Sequence, residues 1–344
     1  MTKPNVLFFI TDQQRADHVG FAGNGAVSTP NLDALAEHST IFDSAYVSNP
    51  VCMPNRSTIM TGRMPSAHGV IFNDRSLSPG ANTFVRELRK NGYRTALIGK
   101  SHLQHGMSAD AFMPFPGAPG VTESWPAGWN AIENIERYEE GDLEDPDDFY
   151  GFGKIELTLG HGDQVGGHHY RWAREQGAGH DELVAGFKPA GDVPRQSPHW
   201  WQIHAARFPE ELYSTNFVTE RTVEFIEQSH ASSEPWMAWC SYPDPHHPLS
   251  PPARWFDRYS PDDIELPTTF DDSGENWPPY LQFIRTLGPN EENFVIPFGP
   301  TPEQARAAIA ATYGMIEFVD DGVGRVLASL DRLGIADNTI VVFA

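Results

Sequence analysis

The chain has 344 residues, 40% of them hydrophobic, and a formal net charge of −22. That is enough material for one large α/β core, while a field of this sign repels nucleic acid and long polyanions and favours a small substrate. Two cysteines, Cys52 and Cys240, make no disulfide framework. No apolar run approaches membrane-spanning length, and the first apolar strand starts at Asn5 with no room for a leader, so a cytoplasmic protein without membrane or nucleic-acid partners is expected.

Asn5-Val6-Leu7-Phe8-Phe9-Ile10 is a continuous apolar run, as in a strand buried on both faces of a parallel sheet. Such sheets place ligands at the carboxyl ends of their strands, so Asp12 and Gln13 can offer oxygens to a hard cation. A helix follows from Thr29-Pro30 through Ala36 and is read as scaffold. Next comes Cys52-Met53-Pro54-Asn55-Arg56. Pro54 suits the first position of a short helix and Gly62 its stop, which sets Cys52 at a helix N-terminus, a place suited to an anionic ester and to an ionised or oxygen-bearing side chain. An arginine six positions after the cysteine would mark a phosphatase-type loop, but position 58 is Thr58. Cys240, in the apolar run Trp236 to Cys240, reads as core.

After a helix from Asn82 to Asn91, the strand Thr95 to Ile98 delivers Gly99-Lys100-Ser101-His102. A phosphate-binding loop would need glycine at position 94, which is Arg94. Residues 108–209 break the strand–helix alternation with an acidic run from Glu139 to Asp148 and with Trp125, Trp129, Tyr150, Trp172, Trp200 and Trp201. We read this segment as an irregular lid or oligomer contact that selects substrate. A helix from Asn216 to Gln228 then feeds a strand from Trp236 to Tyr242, which ends in the proline-stiffened loop holding His246 and His247. One or two helices fill Thr301 to Leu333, and a last apolar strand runs from Asn338 to Phe343.

Cys-x-Pro-x-Arg over Cys52, Pro54 and Arg56, Gly-Lys-x-His over Gly99 to His102 and Pro-His-x-Pro over Pro245 to Pro248 together resemble the sulfatase family of the alkaline phosphatase superfamily. Asn55 stands where that family usually has Ser or Ala. Asp12-Gln13 looks like the choline sulfatase and phosphonate monoester hydrolase branches. The resemblance implies a single domain over residues 1–344 with a mostly parallel sheet and helices on both faces, lacking the C-terminal part of the family fold. It implies that Cys52 is converted to formylglycine by a maturation enzyme and that a divalent metal, calcium or alternatively manganese or magnesium, is held by Asp12, Gln13 and residue 52. It also implies that Arg56 and Lys100 neutralise charge, that His102 bonds the formylglycine hydroxyl, that His246 serves the ester oxygen, and that Asn73, Lys100 and His246 touch substrate. In the family the last strand leads to an Asp-His-Gly or Asn-His-Gly turn with two further metal ligands, which the 344 residues do not include. The activity so implied is hydrolysis of a small sulfate ester. Phosphonate monoester or phosphodiester hydrolysis is the alternative, and an inactive binding protein the alternative of another class.

Overall fold

A computed structural model describes residues 3–73, 75–106, 128–139, 144–184, 195–286 and 299–344. Its centre is a six-stranded sheet built from β1 (Asn5–Ile10), β2 (Arg94–Gly99), β3 (Lys154–Leu159), β4 (Gly166–Gly167), β5 (Trp236–Ser241) and β6 (Thr339–Phe343), in the spatial order β4-β3-β2-β5-β1-β6. All pairings are parallel except β3 with β4.

Alternation along β1 explains the layering. Leu7 and Phe9 face a core shared with Phe217, Val218, Phe225 and Ile226 of the helix Ser214–Ser232 and with Val319, Val323 and Val326 of the helix Pro302–Arg332. Ile10 faces the opposite core, with Met53 and Met60 of the helix Cys52–Thr61, Val85 of the helix Phe84–Lys90, and Trp239 of β5. β1 and β5 thus pack both faces against cores, which is why they read as unbroken apolar runs. Thr301 to Leu333 resolves as one helix of 31 residues, opened by a capping box in which Thr301 and Gln304 exchange side-chain and backbone bonds.

Three expectations change. The segment 108–209, read as irregular, supplies β3 and β4, and the later half of its acidic run is tied down: Asp148 pairs with Arg86 at 3.1 Å and Asp145 with His168 at 3.1 Å. Trp125 and residues 140–143 of that reading lie outside the described residues. The short helix that carries the cysteine starts at Cys52 itself, so Pro54 is its third residue rather than its first; it still falls in the turn whose N–H groups have no intrahelical partner. Finally, among the described residues β6 pairs with β1 alone, and as an edge strand it is partly exposed, with Ile340 at 51%, rather than buried.

Candidate active site

The three neighbouring strands β2, β5 and β1 end side by side, and each delivers side chains into one crevice at the carboxyl edge. Asp12 follows β1, Lys100 and His102 follow β2, and Asp244 and His246 follow β5. The approach of β2 to β5 is close at Gly99. With φ of 104°, an added Cβ there would lie 1.8 Å from the carbonyl oxygen of Ser241. Gln13 and His102 also sit at positive φ, 64° and 53°, a cost that non-glycine residues bear most often where a side chain must be aimed.

The helix Cys52–Thr61 brings its N-terminus over this edge, and Cys52 Sγ lies 3.5 Å from Asp12 Oδ1. Asn73 accepts a hydrogen bond from the Met53 N–H through Oδ1 at 3.0 Å, capping that helix and leaving the donors of its amide uncommitted by this bond. Arg56, 2% exposed, donates from Nη1 to the Lys100 carbonyl and to Ser241 Oγ, each at 2.9 Å, and so clamps the helix to the ends of β2 and β5. The Lys100 ammonium is ion-paired with Asp12. Burial would raise the Asp12 carboxyl, but Lys100 and, behind it, Arg56 hold it well below the usual carboxylate range.

Cys52 behaves otherwise than its helix position suggests. Burial pushes its thiol up, and Asp12 adds to the rise against the opposing charges of Lys100 and Arg56. As encoded, the residue is a thiol hydrogen-bonded to a carboxylate and not an ionised nucleophile; burial and the neighbouring anion outweigh the helix dipole. Cys240 is fully buried, its thiol raised to about 12 by burial, as expected of a core residue.

Of the paired histidines, His246 is the one that reaches Asp12 and Cys52. One ligand atom from each of the three lies within 4.8 Å of the others. His246 donates from Nδ1 to the His247 carbonyl at 2.5 Å, which fixes its tautomer, and burial together with Lys100 lowers it to about 3. His247 donates from Nδ1 to Gln13 Oε1 at 3.1 Å. His102 is likewise held neutral, chiefly by burial, and its Nδ1 is a buried atom without a protein partner.

Two contributors escaped the sequence reading. Glu133, 6% exposed, accepts the backbone N–H groups of His102, Leu103 and Gln104 at 2.8 to 2.9 Å and so shapes the Lys100–His102 turn. His161, in the turn between β3 and β4, stacks on His246 with ring centroids 3.7 Å apart. The Gly160-His161-Gly162-Asp163 sequence was the available signal: a histidine between two glycines marks a turn in which backbone freedom serves a polar side chain.

The residues present fit a hard divalent cation in part. The Asp12 carboxylate and Gln13 amide are oxygen donors of the kind calcium and magnesium take, and the carboxylate already carries a cationic partner in Lys100. The Cys52 sulfur is the mismatched donor, and an oxygen at that position would complete a hard set.

Beside this crevice, burial pushes the Asp244 carboxyl up to about 7, although the hydroxyls of Tyr213 and Thr215 donate to it at 3.3 and 3.0 Å. A carboxyl that binds its proton more tightly folded than unfolded loses stability as pH rises from the ordinary 3.8 through 7. Asp244→Asn should remove that loss. Thermal melts should show the variant ahead by on the order of 3 kcal/mol at pH 8 and near parity at pH 4.

Residues 4–344 match the family model described as Sulfatase. An arylsulfatase of Clostridium perfringens is 26% identical over 346 residues, which cover 99% of this chain and 62% of the relative. A choline-sulfatase of Rhizobium meliloti is 25% identical over 343 residues, 99% of this chain and 56% of the relative. In fold, the chain is similar to the crystal structure of a phosphonate monoester hydrolase of Agrobacterium radiobacter, with a TM-score of 0.72 at 24% identity over 99% of this chain and 62% of that one. The chain therefore spans about three fifths of the length of the proteins it matches here.

Proposed function

We propose that this chain, which belongs to the sulfatase family, forms the catalytic edge of a hydrolase for small sulfate esters, with residue 52 as nucleophile after conversion of its cysteine to formylglycine. The observation that supports this reading is the convergence of a buried carboxylate, a buried ammonium, an imidazole and Cys52 at a helix N-terminus over three adjacent strand ends. When formed, the hydrated aldehyde supplies a hydroxyl nucleophile in place of a thiol that burial keeps protonated. A divalent cation, when bound, supplies charge that lowers the pKa of that hydroxyl. Calcium fits the Asp12 and Gln13 oxygens, as do manganese and magnesium.

The chain's own groups do the rest. Lys100 and Arg56 hold positive charge in a buried crevice of a protein whose net charge is −22, so an anionic ester is drawn to one place and its equatorial oxygens are neutralised there. Asn73 offers its amide to substrate from the start of the helix. His246 is neutral in the resting site; the negative charge of the bound ester favours its protonation, and it then passes that proton to the leaving oxygen. His102, neutral with a free Nδ1, is suited to accept a proton when the modified residue is regenerated.

The test pairs a mass measurement with rates. Protein made alongside a formylglycine-generating enzyme should show the Cys52 peptide as aldehyde and the Cys240 peptide as thiol, and should hydrolyse an aryl sulfate faster than the matched aryl phosphonate ester. An unmodified Cys52 under those conditions overturns the nucleophile assignment. A faster phosphonate reaction moves the substrate to the alternative class, and a titration in which the protein takes up no divalent metal supports the inactive binding reading. A cytoplasmic location and assembly as a homo-oligomer remain part of this proposal; the structure adds that no helix among the described residues is long and apolar enough to cross a membrane.

A further inference from the structure

His161 stands in the crevice without a role in the chemistry just described. Its Nε2 is 2.5 Å from Lys100 Nζ and 3.7 Å from Asp12 Oδ2, so its hydrogen-bonding partner is the ammonium and not the carboxylate. An imidazolium facing an ammonium at that distance would repel it; the ring is therefore neutral and presents its Nε2 lone pair to a lysine proton. The opposite constraint comes from stacking. His161 lies against His246 at an interplanar angle of 15°, and His246 stacks in turn on His247 with centroids 4.2 Å apart.

The turn that carries His161 is braced from behind. Asp163, 2% exposed, accepts from Arg207 Nε at 2.9 Å and His204 Nε2 at 3.1 Å, and its own N–H donates to Ser250 Oγ at 3.0 Å. Gly162, at φ of 56°, allows the turn to press on the loop after β5; a Cβ there would fall 2.3 Å from Ser250 Oγ and 2.7 Å from the Pro248 carbonyl. A buried, charged brace of this kind defines one position for the turn relative to the loop that holds His246.

We propose that His161 is a positioning residue for Lys100: its Nε2 accepts the ammonium, its stacked ring fixes that acceptor in space, and the buried Asp163 brace holds the turn that presents it. The lysine then keeps one location even when its other partner, Asp12, is engaged by a cation. This assignment rests on the sulfatase reading for its consequence, because a fixed Lys100 matters where a sulfate oxygen must meet it, but the geometry itself is independent of the reaction.

Three variants of the metal-loaded, formylglycine-bearing protein test the proposal. His161→Phe keeps a stackable ring and removes the acceptor, His161→Gln restores an acceptor without the ring, and Asp163→Asn weakens the brace at a distance. The first readout is competitive acetylation of Lys100 by acetic anhydride, measured by peptide mass. His161→Phe should raise Lys100 labelling about ten-fold, Asp163→Asn should raise it several-fold, and His161→Gln should stay within about two-fold of wild type. The second readout is aryl sulfate kinetics, where His161→Phe should lower kcat about ten-fold with KM changed less, and His161→Gln should recover most of the loss. Labelling and kcat of His161→Phe equal to wild type overturn the proposal, as does a His161→Gln variant no better than His161→Phe. Should His161→Phe not fold, unchanged labelling in a folded Asp163→Asn overturns it in the same way. A wild-type protein without sulfatase turnover, in which Lys100 labelling still follows the acceptor, sinks the proposed function and leaves this assignment standing.

Discussion

Cys52→Ala is expected to lower kcat on an aryl sulfate by about five to six orders of magnitude, the scale for deleting a covalent nucleophile, while leaving the fold in place. Cys52 is only partly buried, and replacing it leaves Asn73 capping the same helix through Met53, so the expected change in stability is within about 1 kcal/mol. The encoded thiol offers no substitute route. Its pKa is raised by burial and by Asp12, and Sγ sits 3.5 Å from that carboxylate. Alkylation of unconverted Cys52 by iodoacetamide should consequently be slow through pH 8, which separates this site from one built to ionise a cysteine. A Cys52→Ala enzyme retaining a tenth of wild-type turnover would move the nucleophile elsewhere in the crevice.

The central sheet was legible because burial on both faces writes itself as apolar runs. Asn5 to Ile10 and Trp236 to Ser241 pair with each other in the observed structure, and the motif residues at their ends fall where parallel sheets place ligands. β3 was not legible for the converse reason. Lys154, Glu156 and Thr158 alternate with Ile155, Leu157 and Leu159, a pattern typical of a half-exposed strand, yet Glu156 is only partly exposed because Lys154 and Arg221 pair with it at 3.1 and 3.4 Å. Polar residues that satisfy one another inside a fold look in sequence like solvated ones.

The same distinction divides the crevice. Asp12 follows an apolar strand, where strand position made it a candidate, while Lys100 and His246, in the segments after β2 and β5, were named through the resemblance of their motifs to the sulfatase family. His161 and Glu133 come from turns whose place over the sheet depends on long-range packing: Glu133 reaches back some thirty positions to cap the Lys100–His102 turn, and His161 depends on Asp163, Arg207 and Ser250 from three separate segments. The helix N-terminus drew attention to Cys52, but the local rule gave the wrong sign for its ionisation, since burial, and after it a carboxylate that follows a strand some forty residues earlier, raise the thiol.

Lys100→Ala should lower kcat by roughly two to three orders of magnitude, the range for removing one preorganised charge from an active site, and should also invert the pH dependence of stability. In the wild-type protein Lys100 keeps Asp12 well below its ordinary pKa. That contribution is fully present above the unfolded value near 4 and is lost as pH falls through the depressed folded value. Without the ammonium, burial dominates and raises the Asp12 carboxyl, so the variant should lose stability as pH rises from about 4 toward neutrality, by about 3 to 5 kcal/mol relative to wild type at pH 7. Arg56→Ala should match the loss in kcat without this inversion. Arg56 acts on Asp12 from behind Lys100, and its bonds go to the Lys100 carbonyl and Ser241 Oγ. Thermal melts of both variants across pH 4 to 8, with the added metal held constant and kcat measured alongside, distinguish the two charges. If Lys100→Ala is near-normal in kcat and parallel to wild type in its pH profile, Lys100 is a scaffold residue rather than the group that meets the ester.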